Sequence, residues 1–172
     1  LPFEDVEIFR RPSASDFSAC LAAMDKSLSK LLFRAAGVAT ADYTLIRSGE
    51  KPYAVSFPCV VKPCSCGSSV GVSIVENEEE LYAALAFAEK YEGKILIEDK
   101  IEGREFSVGI LNGKALPAIE IRPKEGFYDY ERKYQSGLTE EICPAPLNTE
   151  EAARLADSAL KAHRALGLGS YS

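Results

Sequence analysis

"VVKPCSCGSSVGVSIV", residues 60–75, is the stretch on which the fold turns. An apolar run closes on Lys62 and Pro63, crosses a loop of small residues, and becomes apolar again at "GVSIV". Two valine- and isoleucine-containing runs around a short Gly/Ser loop read as neighbouring strands. Gly67, Ser68, Ser69, Val70 and Gly71 carry little side-chain bulk, so backbone N–H groups could approach an anion closely, with Lys62 at the mouth of the loop. No lysine followed by Ser or Thr comes after Gly71 and no helix follows directly, which separates this loop from a Walker A loop. On these residues alone a glycine-containing hairpin with an incidental lysine is the favoured reading.

Working outward, "MDKSLSKLLFRAAG" (24–37) has helical spacing, with Leu28, Leu31, Leu32 and Ala35 on one face and Gly37 at its C-terminal end. "DYTLI" and "FPCVVK" read as strands separated by a polar turn holding Gly49 and Pro52. "NEEELYAALAFAEKY" (77–91) reads as a helix opened by Asn77 and Glu80, with Leu81, Ala84, Leu85 and Ala88 as its stripe. "KILIED" (94–99) is a further strand. This order predicts an α+β unit over residues 26–100, its helices packed on one face of a small antiparallel sheet. Residues 1–25 are expected to be a connector or the remnant of a preceding domain.

A second unit is expected over 101–172. In "EFSVGILNGKALPAIEIRP" two β-rich runs flank Asn112-Gly113, a strong hairpin signal. "PKEGFYDYERKYQSGLTEE" is too polar and too rich in Gly, Tyr and charge to be regular, and a loop this long in a compact domain usually has a function. "NTEEAARLADSALKAHRALG" is a helix capped by Asn148 and Glu151 and stopped by Gly167.

Composition narrows the function classes. The chain has 172 residues and a formal net charge of -6, which argues against nucleic acid as a partner and favours a small anion held in a local cationic cleft. No apolar run reaches the roughly 18 residues of a membrane span, so a cytoplasmic location is expected. Five cysteines without a secretory signal suggest reduced thiols. The spacing of Cys64 and Cys66 is too short for a zinc knuckle, and no metal ligands are assigned. His163 has no nucleophile in triad order near it and is expected to be a surface or partly packed helical residue.

Three features gather around the loop. Glu98 and Glu105 stand at either end of the link between the two units, where a ligand often sits. Lys26 lies in the first turn of a helix, where a cation is mildly unfavourable unless an anion accompanies it. Lys133-Tyr134, beside Arg132, falls in the long polar loop.

In order along the chain, "AAMDK", "VVKP", "GSSVGVS", "ILIEDKIEGREFSVGIL", "LPAIEI", "EGFYDYERKY" and "EICPAP" resemble the ATP-grasp carboxylate–amine ligases, and among them the D-alanine:D-alanine ligases. The resemblance covers roughly residues 18–172. It implies the ATP-grasp fold, with a lid subdomain followed by part of a catalytic subdomain. It implies that Lys26 and Lys62 hold the α and β phosphates of ATP and that Gly67, Ser68 and Ser69 close over the phosphates as a lid. Glu98 would accept from the adenine amino group, the backbone at Ile101 would pair with the base, and Glu105 would bind the ribose hydroxyls.

Lys133 would compensate the γ-phosphate, while Ser68 and Tyr134 would join the mobile loop to the lid and help position the second substrate. The implied reaction passes the γ-phosphate to the carboxylate of one D-alanine, giving an acyl phosphate that the amine of a second D-alanine attacks. Relatives preferring D-lactate differ at the position of Tyr134, so tyrosine favours D-alanine as acceptor; an ATP-grasp ligase with another acceptor such as D-serine or D-lactate is an alternative. Many relatives carry an acidic residue where this chain has Cys66. Mg²⁺ is implied as well, with its carboxylate ligands and the catalytic arginine expected outside this chain, so a nucleotide-binding but catalytically incomplete fragment is the alternative. Homodimers are what the resemblance suggests for assembly.

Overall fold

The computed structural model describes residues 15–124 and 139–172. Lys133 and Tyr134 lie outside the described residues. Two helices come first, α1 (Phe17–Met24) and α2 (Lys26–Ala35). The expected helix starting at Met24 is therefore the second of a pair. Asp25 separates them: it ends α1, and its carboxylate caps α2 by accepting from the N–H groups of Ser27 and Leu28.

A four-stranded sheet follows, built from β1 (Tyr43–Arg47), β2 (Cys59–Pro63), β3 (Ser73–Val75) and β4 (Lys94–Asp99). Its spatial order is β1-β4-β2-β3, and every neighbouring pair is antiparallel. Helix α3 (Glu78–Ala88) covers one face, placing Leu81, Ala84, Leu85 and Ala88 in one buried cluster with Val61, Val75, Ile95 and Ile97. Asn77 caps it, with the Glu80 N–H donating to Asn77 Oδ1 at 3.0 Å.

Successive strand residues point to opposite faces. Ile95 and Ile97 of β4 belong to the α3 cluster, whereas Lys94 and Glu98 meet Asp25 and Lys30 from the α2 region at 2.7 and 2.8 Å. Thus α2 and α3 lie on opposite faces of the sheet, and the expectation that the helices share one face is corrected. The inner side of α2 is also polar: its buried residues are Ser27, Ser29 and Lys30, while Leu31 is 56% exposed. The leucine stripe read from the helical period is not the face that meets the sheet.

In the second half, β5 (Glu105–Ser107), β8 (Ile119–Pro123) and β9 (Thr139–Ile142) form a three-stranded antiparallel sheet in the order β5-β8-β9. Between them, β6 (Ile110–Leu111) and β7 (Lys114–Ala115) make a separate hairpin across Asn112 and Gly113, whose φ angles of 48° and 72° suit its two-residue turn. Helix α4 (Thr149–Ala165) opens with a capping box of Asn148 and Glu151. His163 on α4 is buried, with Nδ1 2.9 Å from Ser172 Oγ, rather than at the surface. Gly169 N–H donates to Ser15 Oγ at 3.0 Å, tying the C-terminal turn to the residue before α1. Among the described residues no helix is long and apolar enough to cross a membrane.

Candidate functional site

One cavity of about 530 Å³ opens where the second face of the main sheet meets the glycine loop and the link to β5. Lys26, Lys62, Gly67, Ser68 and Ser69 line its loop side. Glu98, Ile101 and Glu105 line the side of the link. The sequence reading thus converges on a single hollow for each of its candidates among the described residues. It missed the walls: Val60 and Ile74, directly opposite one another in the β2–β3 register, together with Met24 and Val72. The signal was present, because Val60 shares the strand face of Lys62 by the period of two.

The loop is built in two tight steps. Val70 N–H donates to Gly67 O at 3.1 Å and Val72 N–H to Ser69 O at 3.3 Å, so these two amides are used in turns rather than presented to an anion. Ser68 and Ser69 both hold left-handed backbone, at φ 53° and 57°, a conformation that costs non-glycine residues about 1 kcal/mol or more each and that clusters at ligand clamps. Gly71 requires glycine twice over. Its φ is 71°, and a Cβ there would sit 2.7 Å from Pro63 Cγ and 2.8 Å from Tyr91 Cδ2.

Lys26 fastens the base of this loop. Its ammonium donates to the carbonyls of Pro63, Cys64 and Cys66 at 3.1, 3.2 and 2.6 Å. Burial lowers its pKa from the usual lysine value, and the charge of Lys62 pushes in the same direction. The two ammonium groups therefore repel each other across the cavity, a repulsion that a bound anion would relieve.

Glu98 holds two lysines at once. Oε1 accepts from Lys62 Nζ and Oε2 from Lys30 Nζ, the latter at 2.8 Å. Burial pushes the carboxyl up, but the hydrogen bonds from Lys30 and Lys62 outweigh it and hold the group below the usual glutamate value. Lys30 was not among the sequence candidates. Its spacing of four from Lys26 puts both lysines on one helix face, which is the cue that could have found it.

Next to the cavity, Asp25 Oδ2 accepts from Lys94 Nζ at 2.7 Å while Oδ1 accepts from Cys64 Sγ at 3.1 Å. Farther along, Glu120 has a side chain only 3% exposed, gripped by Arg104 at 2.7 and 2.9 Å and by Arg122 at 2.7 Å. Cys66 is half-buried at the cavity lining, and the cysteines among the described residues are free thiols. Among the described residues no group of three or more His, Cys, Asp or Glu side chains is placed to hold a metal ion.

The chain that carries this hollow, with two lysines at its loop side, apolar strand walls and carboxylates at the link, has a fold of the ATP-grasp class. The family model described as "D-ala D-ala ligase C-terminus" matches residues 32–172, and the chain belongs to that family. It is 48% identical over 161 residues to the D-alanine–D-alanine ligase of Citrifermentans bemidjiense, covering 93% of this chain and 53% of that protein. To the corresponding ligase of Geobacter sulfurreducens it is 47% identical over 164 residues, covering 93% and 52%. The chain spans about half the length of the curated relatives it matches. Among solved structures, D-alanine–D-alanine ligase from Bacillus anthracis superposes with a TM-score of 0.82 at 34% identity, over 98% of this chain and 57% of that one. A structure of that ligase complexed with ATP superposes at 0.80, with 29% identity.

Proposed function

We propose that this chain is the ATP-binding portion of a ligase that joins two D-alanines through an acyl phosphate, supplying a peptidoglycan precursor in the cytoplasm and so serving cell-wall biogenesis and cell shape. The observation that carries the reading is the convergence of Lys26 and Lys62 on one cavity, close enough for the charge of one to disfavour that of the other. A polyphosphate is the natural ligand for two such ammonium groups.

In this reading Lys26 and Lys62 take the α and β phosphates while the Gly67–Ser69 loop covers them. Base and sugar lie between Val60 and Ile74 and the link. There Glu98 accepts from the adenine amine, the Ile101 backbone meets the base edge, and Glu105 takes the ribose hydroxyls. Residues 26–100 act as the lid subdomain and 101–172 as part of the catalytic one, with 1–25 as a connector or the remnant of another domain. Lys133 steadies the γ-phosphate, and Tyr134 joins Ser68 over the acceptor. Phosphoryl transfer needs alignment, charge compensation and exclusion of water more than covalent help, and these residues supply the first two. Mg²⁺ ligands come from elsewhere in the working enzyme, which is proposed to be a homodimer.

Calorimetry of ATP with the 172-residue chain tests the binding half, with saturable 1:1 binding expected and no heat at millimolar ATP ruling it out. For the chemistry, phosphate release is measured on a longer ligase carrying this chain, with D-alanine, D-serine and D-lactate as acceptors. D-Alanine is expected to be fastest. A second reading, binding without turnover by this chain alone, is favoured by its spanning about half the length of its relatives. It predicts ATP binding but no phosphate release from the 172-residue chain.

A further inference from the structure

We propose that Lys30 is a positioning residue: it is the resident counter-ion of Glu98, keeping that carboxylate charged and aimed when an anionic ligand draws Lys62 away. The ligand invoked rests on the nucleotide reading above, whereas the exchange itself rests on the geometry of the two lysines.

Lys30 is 7% exposed. Its ammonium donates to Thr40 Oγ1 at 2.7 Å, to Ala41 O at 3.0 Å and to Glu98 Oε2 at 2.8 Å. An ammonium has three hydrogens, and these three acceptors use them all. The Tyr43 ring, 5.3 Å from Nζ, closes a further side. Lys30 is not part of the cavity lining, so it is not placed to take a phosphate there. Lys62 is placed differently, because it lines the cavity and, among the described residues, pairs with the other oxygen of Glu98. One carboxylate is thus shared between a cation locked in a cage and a cation on the ligand side.

The surroundings of Glu98 make this division matter. Facing it are Lys30 from α2, Lys62 from β2 and Tyr43, its register partner on β1. Arg34, also on α2, is turned to Asp42 at 2.6 Å. A phosphate in the cavity competes with Glu98 for the Lys62 ammonium. A largely buried carboxylate deserted by its only cation takes up a proton, and a protonated oxygen no longer serves as a plain acceptor for an amine. With Lys30 in place the charge persists, and Oε1 is uncovered when Lys62 leaves. Phosphate capture and recognition of a base amine then become one exchange. Adenine, which offers an amine, should be separated from hypoxanthine, which offers a carbonyl, most sharply when phosphates are attached, because a buried acceptor facing a carbonyl is left unpaired.

Carbon-13 NMR titration of the Glu98 carboxyl in the ligand-free chain tests this without nucleotide. In Lys62→Met, Glu98 is expected to titrate still below the ordinary glutamate value, and in Lys30→Met/Lys62→Met above it. Glu98 titrating at or above that value in Lys62→Met overturns the proposal, and this single variant decides even where the double variant does not fold. Equal values in the two variants overturn it as well.

Calorimetry with ATP and inosine triphosphate adds the ligand. The wild type is expected to prefer ATP at least tenfold, Lys30→Met to bring the ratio below threefold, and Lys30→Arg to restore it. A merely structural role would weaken both nucleotides alike and leave the ratio unchanged, which counts against the proposal. Should the wild type bind neither nucleotide, the functional reading falls, while the carboxyl titration still decides the role of Lys30.

Discussion

Asp25 and Lys94 form an ion pair at 2.7 Å that pins the junction of α1 and α2 to the start of β4. Burial pushes the Asp25 carboxyl up, but hydrogen bonds from Lys94, Ser27, Cys64 and Leu28 outweigh it and hold the group well below its usual value. A folded-state value below the unfolded one stabilises at pH above the unfolded value of about 4 and loses that contribution as pH falls. Because Lys94 is about one-third exposed, the capping bonds set the scale. Asp25→Ala should cost about 1–2 kcal/mol at pH 7, a fall of roughly 2–8 °C in Tm. Its deficit should shrink on acidification, so an equal Tm deficit at pH 7 and pH 3 would count against this account.

Gly71 and Gly67 should behave as opposites. Gly71→Ala meets both a left-handed φ and a clash with Pro63 and Tyr91, and should destabilise by about 1–3 kcal/mol in urea unfolding. No atom lies within 4 Å of a Cβ at Gly67, whose φ is not in the left-handed region, so Gly67→Ala should change folding stability by less than about 0.5 kcal/mol. Similar unfolding midpoints for the two variants would refute the close-approach argument.

Glu120 gives a pH signature of its own. Hydrogen bonds from Arg104 and then Arg122 bring its carboxyl down to about 2, from an ordinary value of 4.5. The contribution is fully present above pH 4.5 and fades as pH falls toward 2. Glu120→Gln should therefore melt below the wild type at pH 6 and converge with it near pH 2. Parallel melting curves across that range would show that the two arginines do not favour the ionised form.

Lys26 should affect both order and binding. Lys26→Met removes three hydrogen bonds from the stretch 63–66 and should speed amide exchange at Cys66–Val72. ATP affinity should drop at least tenfold, about 1.4 kcal/mol. Unchanged exchange together with unchanged affinity would remove Lys26 from both roles.

Much of this was legible in the residues. The strands at 43–47, 59–63 and 94–99 follow from short apolar runs, and the starts of α3 and α4 from asparagines followed three residues later by glutamate. Helix α1 escaped because "FSACLAAM" is apolar nearly all round and shows no stripe. The inward face of α2 was misread for a physical reason: its buried contacts are polar, Ser27 with Asp25, Ser29 with the Ala22 carbonyl of α1 and Lys30 with Glu98 of β4, while Leu31 stays out. Periodicity finds a greasy face, and here the contact is polar. Lys30 was overlooked for the same reason, since its value depends on a glutamate 68 positions away that only folding brings near.

The alternation along β2 and β4 divides labour within single strands. Cys59, Val61, Ile95 and Ile97 belong to the hydrocarbon side, while Val60, Lys62 and Glu98 look into the hollow. Changes at the first set should register mainly as lost thermal tolerance, and changes at the second as altered ligand preference. A lineage could therefore retune what it binds by substituting alternate letters of two short words, leaving the framework that holds them almost untouched.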